Sequence, residues 1–87
     1  MADLSKRTVR VVTAAEVAFG SRWQTPLAES SGVTQQLLAL IAKGDRAVTD
    51  DTYRKVANAL LKEADRARAT GDKLDKLAGA MLRELEE

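Results

Sequence analysis

The chain has 87 residues, enough for one small domain with a single modest core. It contains no cysteine and no histidine, which excludes disulfides, zinc fingers, thiol nucleophiles and imidazole bases. Fourteen basic and thirteen acidic residues leave a net charge of +1, so the total charge by itself does not indicate a nucleic-acid partner.

The N-terminal segment, residues 1–12, contains a run of β-branched residues that starts at Thr8. Such a short run fits either a short strand or an extended basic arm, and the pattern does not decide between them. A first helix is expected to begin at Thr13, because Thr13 and Glu16 have the spacing of a capping box. It ends before Gly20, which can take the left-handed conformation of a helix terminus.

Two short helices are expected in the middle of the chain. The first covers residues 26–31, because proline is favoured at the first position of a helix and Gly32 interrupts the pattern. The second covers residues 35–43, with Thr34 as its N-cap and Gly44 as a left-handed stop.

The last third of the chain predicts two more helices. Thr49 is an N-cap candidate, and Asp50 and Asp51 follow in the first turn, where the helix dipole favours negative charge. Gly71 is expected to end this fourth helix and Asp72 to cap a fifth. The fifth helix carries a C-terminal stripe of large apolar residues. These are Leu74, Leu77, Met81, Leu82 and Leu85.

The most informative segment is residues 24–41. Ala28 and Gly32 lie four residues apart, and Val33 follows directly. Two helices that cross steeply through a tight turn need a small residue at their contact, which Ala28 supplies, and a turn residue free to take positive φ, which Gly32 supplies. Val33, together with Leu38, would then fill the space between the two helices.

This segment resembles the helix-turn-helix of the phage repressor and Cro family, also called the Xre-like or lambda-repressor-like family. The resemblance covers the motif closely and the continuation to Leu60 loosely. It implies an all-α DNA-binding domain whose second motif helix lies in the major groove and contacts bases with its first turn. The expected base-contacting residues are Thr34, Gln35, Gln36 and Ala39.

A glutamine amide matches the N7 acceptor and the N6 donor of adenine, which makes Gln35 and Gln36 the strongest candidates for sequence recognition. Phosphate contacts would position the motif without carrying sequence information. The expected phosphate-contacting residues are Arg22, Gln24, Lys43 and Arg46. Further contacts from the N-terminal arm would come from Lys6, Arg7 and Arg10.

The charge is unevenly distributed, which fits this interpretation. Residues 4–48 carry six basic and three acidic side chains, a net +3, whereas residues 72–87 carry three basic and five acidic ones, a net −2. The acidic tail would be repelled by DNA, so we expect it to lie away from the groove. Its apolar stripe would either pair with a second copy of the chain or fold back to complete the core.

The sequence therefore predicts an all-α fold, a compact bundle of about five short helices with a central helix-turn-helix. We divide it into an N-terminal arm or strand (1–12), a helix-turn-helix DNA-binding domain (13–70) and a C-terminal amphipathic helix for dimerisation or core completion (71–87).

The expected function is that of a small dimeric repressor, of bacterial or phage type, that binds an operator with half-sites about one helical turn (roughly 34–36 Å) apart. The alternative is an antitoxin or adaptor-type interaction module that uses the C-terminal helix. We expect no enzymatic activity, metal, cofactor or small-molecule ligand. We also expect no membrane span and a cytoplasmic location, because the chain has neither a long apolar run nor a signal-peptide pattern.

Overall fold

A computed structural model describes residues 4–86, and within them every regular element is an α-helix. The helices are α1 (Lys6–Phe19), α2 (Gln24–Ser31), α3 (Gln35–Lys43) and α4 (Asp50–Glu86). The predicted all-α class is confirmed. The predicted count of about five helices is wrong, because residues 50–86 form one helix instead of two. No helix in residues 4–86 is apolar over enough length to cross a membrane.

Helix α1 begins earlier than predicted and includes the β-branched run. Ser5 is its N-cap, with the Ser5 hydroxyl oxygen accepting from the backbone N–H of Thr8 at 3.1 Å. Thr8, Val11 and Ala15 are buried at helical spacing, so the run packs one helical face against the core. This burial outweighs the modest β-propensity of the run. The predicted strand or arm over residues 4–12 is therefore wrong, and residues 1–3 of that segment lie outside the described residues.

The α2–α3 pair follows the sequence closely. Gly32 takes a φ of +78°, and the hydroxyl of Thr34 accepts from the backbone N–H of Leu37 at 3.1 Å, which caps α3. The predicted bounds of α3 are confirmed. Helix α2 starts at Gln24, two residues before the predicted start at Pro26, and Pro26 then lies in its first turn, where a missing N–H is tolerated.

The predicted break at Gly71 is absent, because α4 continues through it to Glu86. Only Gly20, Gly32 and Gly44 have positive φ in the described chain, and these three end α1, α2 and α3. A single glycine inside a helix costs about 1 kcal/mol relative to alanine, which weakens a helix without ending it.

The core lies where α1, α2 and the first third of α4 meet, and α3 closes it through contacts with α1 and α2. The largest fully buried side chains are Val11, Leu27, Leu38, Ile41 and Val56. Trp23, before α2, is also buried. Thr52 is buried at the start of α4, where its hydroxyl accepts from the hydroxyl of Thr49, so that this polar group keeps a partner inside the core.

The remainder of α4 projects away from this core. The described chain measures 61 × 25 × 19 Å with a radius of gyration of 17.4 Å, whereas a compact domain of this length has about 12 Å. The long axis corresponds to α4, whose 37 residues span about 55 Å. The C-terminal stripe is exposed, from 59% at Leu74 to 83% at Leu85. The predicted compactness is therefore wrong. Of the two alternatives for this stripe, folding back onto the core does not occur within one chain.

Candidate nucleic-acid interface

Helix α3 divides its side chains between the core and solvent. Leu38 and Ile41 point into the core and are almost fully buried. Thr34, Gln35 and Gln36 lie at the start of the helix and are exposed, while the predicted base-contacting Ala39 is half-buried one turn later. The first turn of α3 is therefore open to a partner, and three of the four predicted base-contacting residues lie within it.

Gln35 is held by a hydrogen bond across the two motif helices. Its Nε2 donates to the hydroxyl oxygen of Thr25, near the start of α2, at 3.1 Å. A glutamine amide has two N–H groups and a carbonyl oxygen, so one N–H and the oxygen remain for another partner. The sequence did not single out Thr25 for this role, because ten residues separate it from Gln35 and only the crossing of the helices brings them together.

Two shallow grooves flank the start of α3. One is lined by Ser21, Arg22, Gln24, Thr25 and Gln35. The other is lined by Thr34, Gln36, Leu37, Leu40 and Arg46. The structure thus groups three predicted residues on one side of α3 and three on the other. Lys43 lines neither groove and lies in the last turn of α3.

The basic side chains around α3 have no acidic partner in the described chain. Ion pairs within residues 4–86 join Arg7 to Asp50, Lys55 to Asp51, Arg66 to Glu63 and Arg68 to Asp65. Arg22, Lys43 and Arg46 are exposed and belong to none of them. Their charges are therefore available to an anion such as a phosphate group.

The three basic residues assigned to an N-terminal arm lie on α1 instead. Arg7 Nη1 is 2.7 Å from Asp50 Oδ1 and donates to the backbone oxygen of Val48 at 3.2 Å. Its guanidinium also lies over the ring of Tyr53, 5.0 Å from the centroid. Arg7 thus joins the first turns of α1 and α4. Lys6 and Arg10 are exposed on α1 and line a separate surface groove with Val9 and Thr13.

Outside this surface, the described residues offer little further chemistry. No group of three or more carboxylate, histidine or cysteine side chains within residues 4–86 could hold a metal ion. On α4, a hydrogen bond to Glu63 and the charge of that carboxylate raise the pKa of Arg66 above its ordinary value.

The comparisons with known proteins add no family or relative. The chain matches no protein-family model, and neither a curated protein nor a solved structure shows significant similarity to it.

Proposed function

We propose that this chain is a sequence-specific DNA-binding regulator, a small dimeric repressor that occupies an operator through the major groove. The observation that carries the proposal is the first turn of α3. Two exposed glutamines stand there, shortly after a left-handed glycine turn. The groove on each side contains an arginine that has no acidic partner within residues 4–86. An exposed helix start of this kind fits the major groove, which is about 12 Å wide.

Gln35 and Gln36 would recognise bases. One N–H of the Gln35 amide is bonded to Thr25, and the other N–H and the amide oxygen remain. These two groups match the N7 acceptor and the N6 donor of adenine. The hydrogen bond to Thr25 restricts the amide before DNA arrives, which lowers the entropy lost on binding. Gln36 faces the other groove, so the two amides would contact different base pairs. Thr34 and Ala39 are further candidates for base contacts.

Arg22, Gln24, Lys43 and Arg46 would contact the backbone on either side of the recognised bases. Because their contacts are mainly electrostatic, they would set affinity and its dependence on salt more than the choice of sequence. Lys6 and Arg10 are more distant candidates on α1, whereas Arg7 is already engaged with α4. A regulator of this kind would act in the cytoplasm, and its function requires no cofactor.

The test begins with selection of bound duplexes from fragmented genomic DNA, followed by affinity measurements on the selected sequence. Replacing Gln35 or Gln36 by alanine should weaken binding to that sequence by about 10- to 100-fold, because each good amide–adenine pair contributes about 1–3 kcal/mol. Asn58→Ala is the matched control, since Asn58 is an exposed amide on α4. Equal losses for all three variants, or failure to select any sequence, would contradict the proposal.

The salt dependence provides a second measurement. Arg22→Ala and Arg46→Ala should each lower the slope of log affinity against log salt by about 1, and should weaken binding to all sequences alike. Arg83→Ala, at the far end of α4, is the control that should leave the slope unchanged. Binding that does not depend on salt would be inconsistent with phosphate contacts.

The exposed C-terminal stripe favours one other function. An antitoxin or adaptor would bind a different protein through α4 and use the helix-turn-helix little or not at all. In that case the Gln35→Ala and Gln36→Ala variants would keep their partner, and no specific duplex would be recovered.

A further inference from the structure

Helix α4 leaves a large apolar surface uncovered beyond the core. Leu74, Leu77, Met81 and Leu82 are 59–64% exposed, and Leu85 is 83% exposed. Contiguous apolar surface of this kind on a soluble chain marks an interaction site. A partner would also stabilise the helix itself, because the projecting segment of about 19 residues contains two glycines, Gly71 and Gly79, which lower helix propensity.

Eight small or apolar residues between Leu60 and Leu85 follow alternating steps of four and three, which is the heptad pattern of paired helices. This heptad seam consists of Leu60, Ala64, Ala67, Gly71, Leu74, Ala78, Met81 and Leu85. Its first half contains mostly small residues and its second half mostly large ones. Gly71 lies at the centre, and a Cβ built there meets no atom of its own chain, so its lack of a side chain is not required within one copy.

The small half of the heptad seam forms one wall of a groove against α1. Leu60, Ala64 and Ala67 face Ala14, Val17 and Ala18 across a space of about 430 Å³, with Glu63 at its edge. The groove is predominantly apolar, and Val17 on its α1 side is 85% exposed. A groove with small residues along its wall admits the large side chains of another helix.

We propose that a second copy of this chain covers this surface, and that the two α4 helices pair antiparallel. The large half of each heptad seam then lies in the groove between α1 and α4 of the other copy. The layers pair Leu60 with Leu85, Ala64 with Met81, Ala67 with Ala78, and Gly71 with Leu74 of the second copy. A two-copy state is part of the proposed function, but this mode of pairing is carried by α1 and α4 alone.

Complementary sizes support the antiparallel direction. Gly71 faces Leu74 and Ala64 faces Met81, so a small residue meets a large one in two of the four layers, as a well-packed core favours. Leu60 and Leu85 are both large, and Ala67 and Ala78 form one thin layer. In a parallel pair each residue would face its own copy. Ala64, Ala67 and Gly71 would then form three successive thin layers, and the grooves beside α1 would stay unfilled.

The residues that flank the heptad seam also fit. In the antiparallel pair Arg68, which is paired with Asp65 at 3.1 Å within its own helix, also faces Asp75 of the second copy. Leu61, which is 65% exposed, faces Leu82. Each contact occurs twice by symmetry. Glu63 faces Glu84, which is unfavourable, but Glu63 is already paired with Arg66 at 2.9 Å and this reduces the repulsion. In a parallel pair Glu63 would face Arg68, which is favourable. The small residues Gly71 and Ala64 would then no longer face the large residues Leu74 and Met81.

The size of the surface is sufficient for a stable dimer. From Leu60 to Leu85 the helix extends about 38 Å. The interface on each copy comprises the heptad seam, the positions that flank it and the three α1 residues of the groove, which together are about 20 residues. Specific interfaces bury about 20–30 residues on each side.

Disulfide trapping tests the direction, because the chain contains no cysteine. Ala67→Cys and Ala78→Cys change two exposed small residues that face each other only in the antiparallel pair. Under mild oxidation, each variant alone should stay uncrosslinked and a mixture of the two should form a mixed disulfide dimer. Self-crosslinking of each variant alone would show a parallel pair, and no crosslinking in any combination would overturn the pairing; both outcomes contradict the proposal.

Sedimentation equilibrium tests the surface itself, and neither experiment contains DNA. The unmodified chain should have twice its mass of 9.4 kDa. Leu74→Asp and Met81→Asp should weaken dimerisation at least about 100-fold, because each places an unpaired charge inside the interface. Ala69→Asp, on the outer face of α4, should change it less than about threefold. A chain of monomer mass would overturn the pairing while the DNA-binding proposal could still hold, and loss of DNA binding would leave the pairing intact.

Discussion

At the scale of single residues, the hydrogen bond between Gln35 and Thr25 joins the starts of α3 and α2 beside the proposed base-contacting surface. Thr25→Val removes the acceptor at nearly constant size, so the Gln35 amide becomes free to rotate. We expect the affinity for the selected operator to fall by up to about 10-fold, which corresponds to the net contribution of one hydrogen bond. Binding measurements on Thr25→Val, Gln35→Ala and the double variant check this.

If Thr25 acts through Gln35, the Thr25→Val change should have no further effect in the Gln35→Ala background, and Thr25→Ser should restore affinity. Equal losses in both backgrounds would mean that Thr25 acts independently of Gln35, for example through its own contact with DNA.

Arg7, which was predicted as a contact from an N-terminal arm, lies on α1 and contacts the start of α4. Its ion pair with Asp50 is largely exposed and contributes little, but the hydrogen bond to Val48 and the contact with Tyr53 use the same guanidinium. We expect Arg7→Ala to lower the free energy of unfolding by about 1–2 kcal/mol. Arg10→Ala, one turn along the same helix, is the matched control and should change it by less than about 0.5 kcal/mol. Urea unfolding measures both, and equal effects would contradict the role of Arg7.

At the scale of helices, local signals predicted the elements whose ends the sequence itself controls. Thr34 precedes the first residue of α3 and Gly44 follows its last, as predicted. Both ends were predictable because a hydroxyl cap and a positive φ each depend on one residue and its neighbours. The predictions that were wrong concern residues whose conformation depends on packing against distant parts of the chain. The run from Thr8 is helical because Thr8, Val11 and Ala15 face the core, and no feature of a five-residue run reveals that face.

The candidate site shows the same division. The exposed start of α3 followed from its cap and its apolar spacing, so Gln35 and Gln36 were identifiable from the sequence. The contact with Thr25 and the engagement of Arg7 with α4 depend on how the helices cross, and residue spacing along the chain does not give that angle.

The continuity of α4 through its two glycines leads to a prediction for the helix as a whole. Gly79 lies outside the heptad seam, and a Cβ there meets only the flexible end of Arg83 at 3.4 Å. Gly79→Ala should therefore stabilise the helix by up to about 1 kcal/mol. Circular dichroism at 222 nm should show more helix and less fraying on heating, with the dimer constant nearly unchanged or improved. Reduced helix content would show that Gly79 is required for close packing.

At the scale of the whole molecule, the antiparallel pairing determines how far apart two helix-turn-helix motifs lie. The two-fold axis passes between Gly71 and Leu74 of the two copies, so each Leu60 lies about 19 Å from it along the helix. The two Leu60 residues are therefore about 38 Å apart along the paired helices, and the pairing holds the two motifs at one fixed separation. A dimer of this kind binds half-sites at one fixed spacing.

We therefore expect the selected operator to contain inverted half-sites at one fixed spacing, a whole number of helical turns of about 10–10.5 base pairs, centre to centre. Duplexes with half-sites spaced by 10, 15 and 20 base pairs would be compared in binding assays, and the 15-base-pair duplex should bind most weakly because one and a half turns place its half-sites on opposite faces. Leu74→Asp should bind all three with the same, weaker affinity, since it acts as a monomer. Equal binding of the unmodified chain to all three duplexes would be incompatible with a dimer that holds its two motifs at a fixed separation.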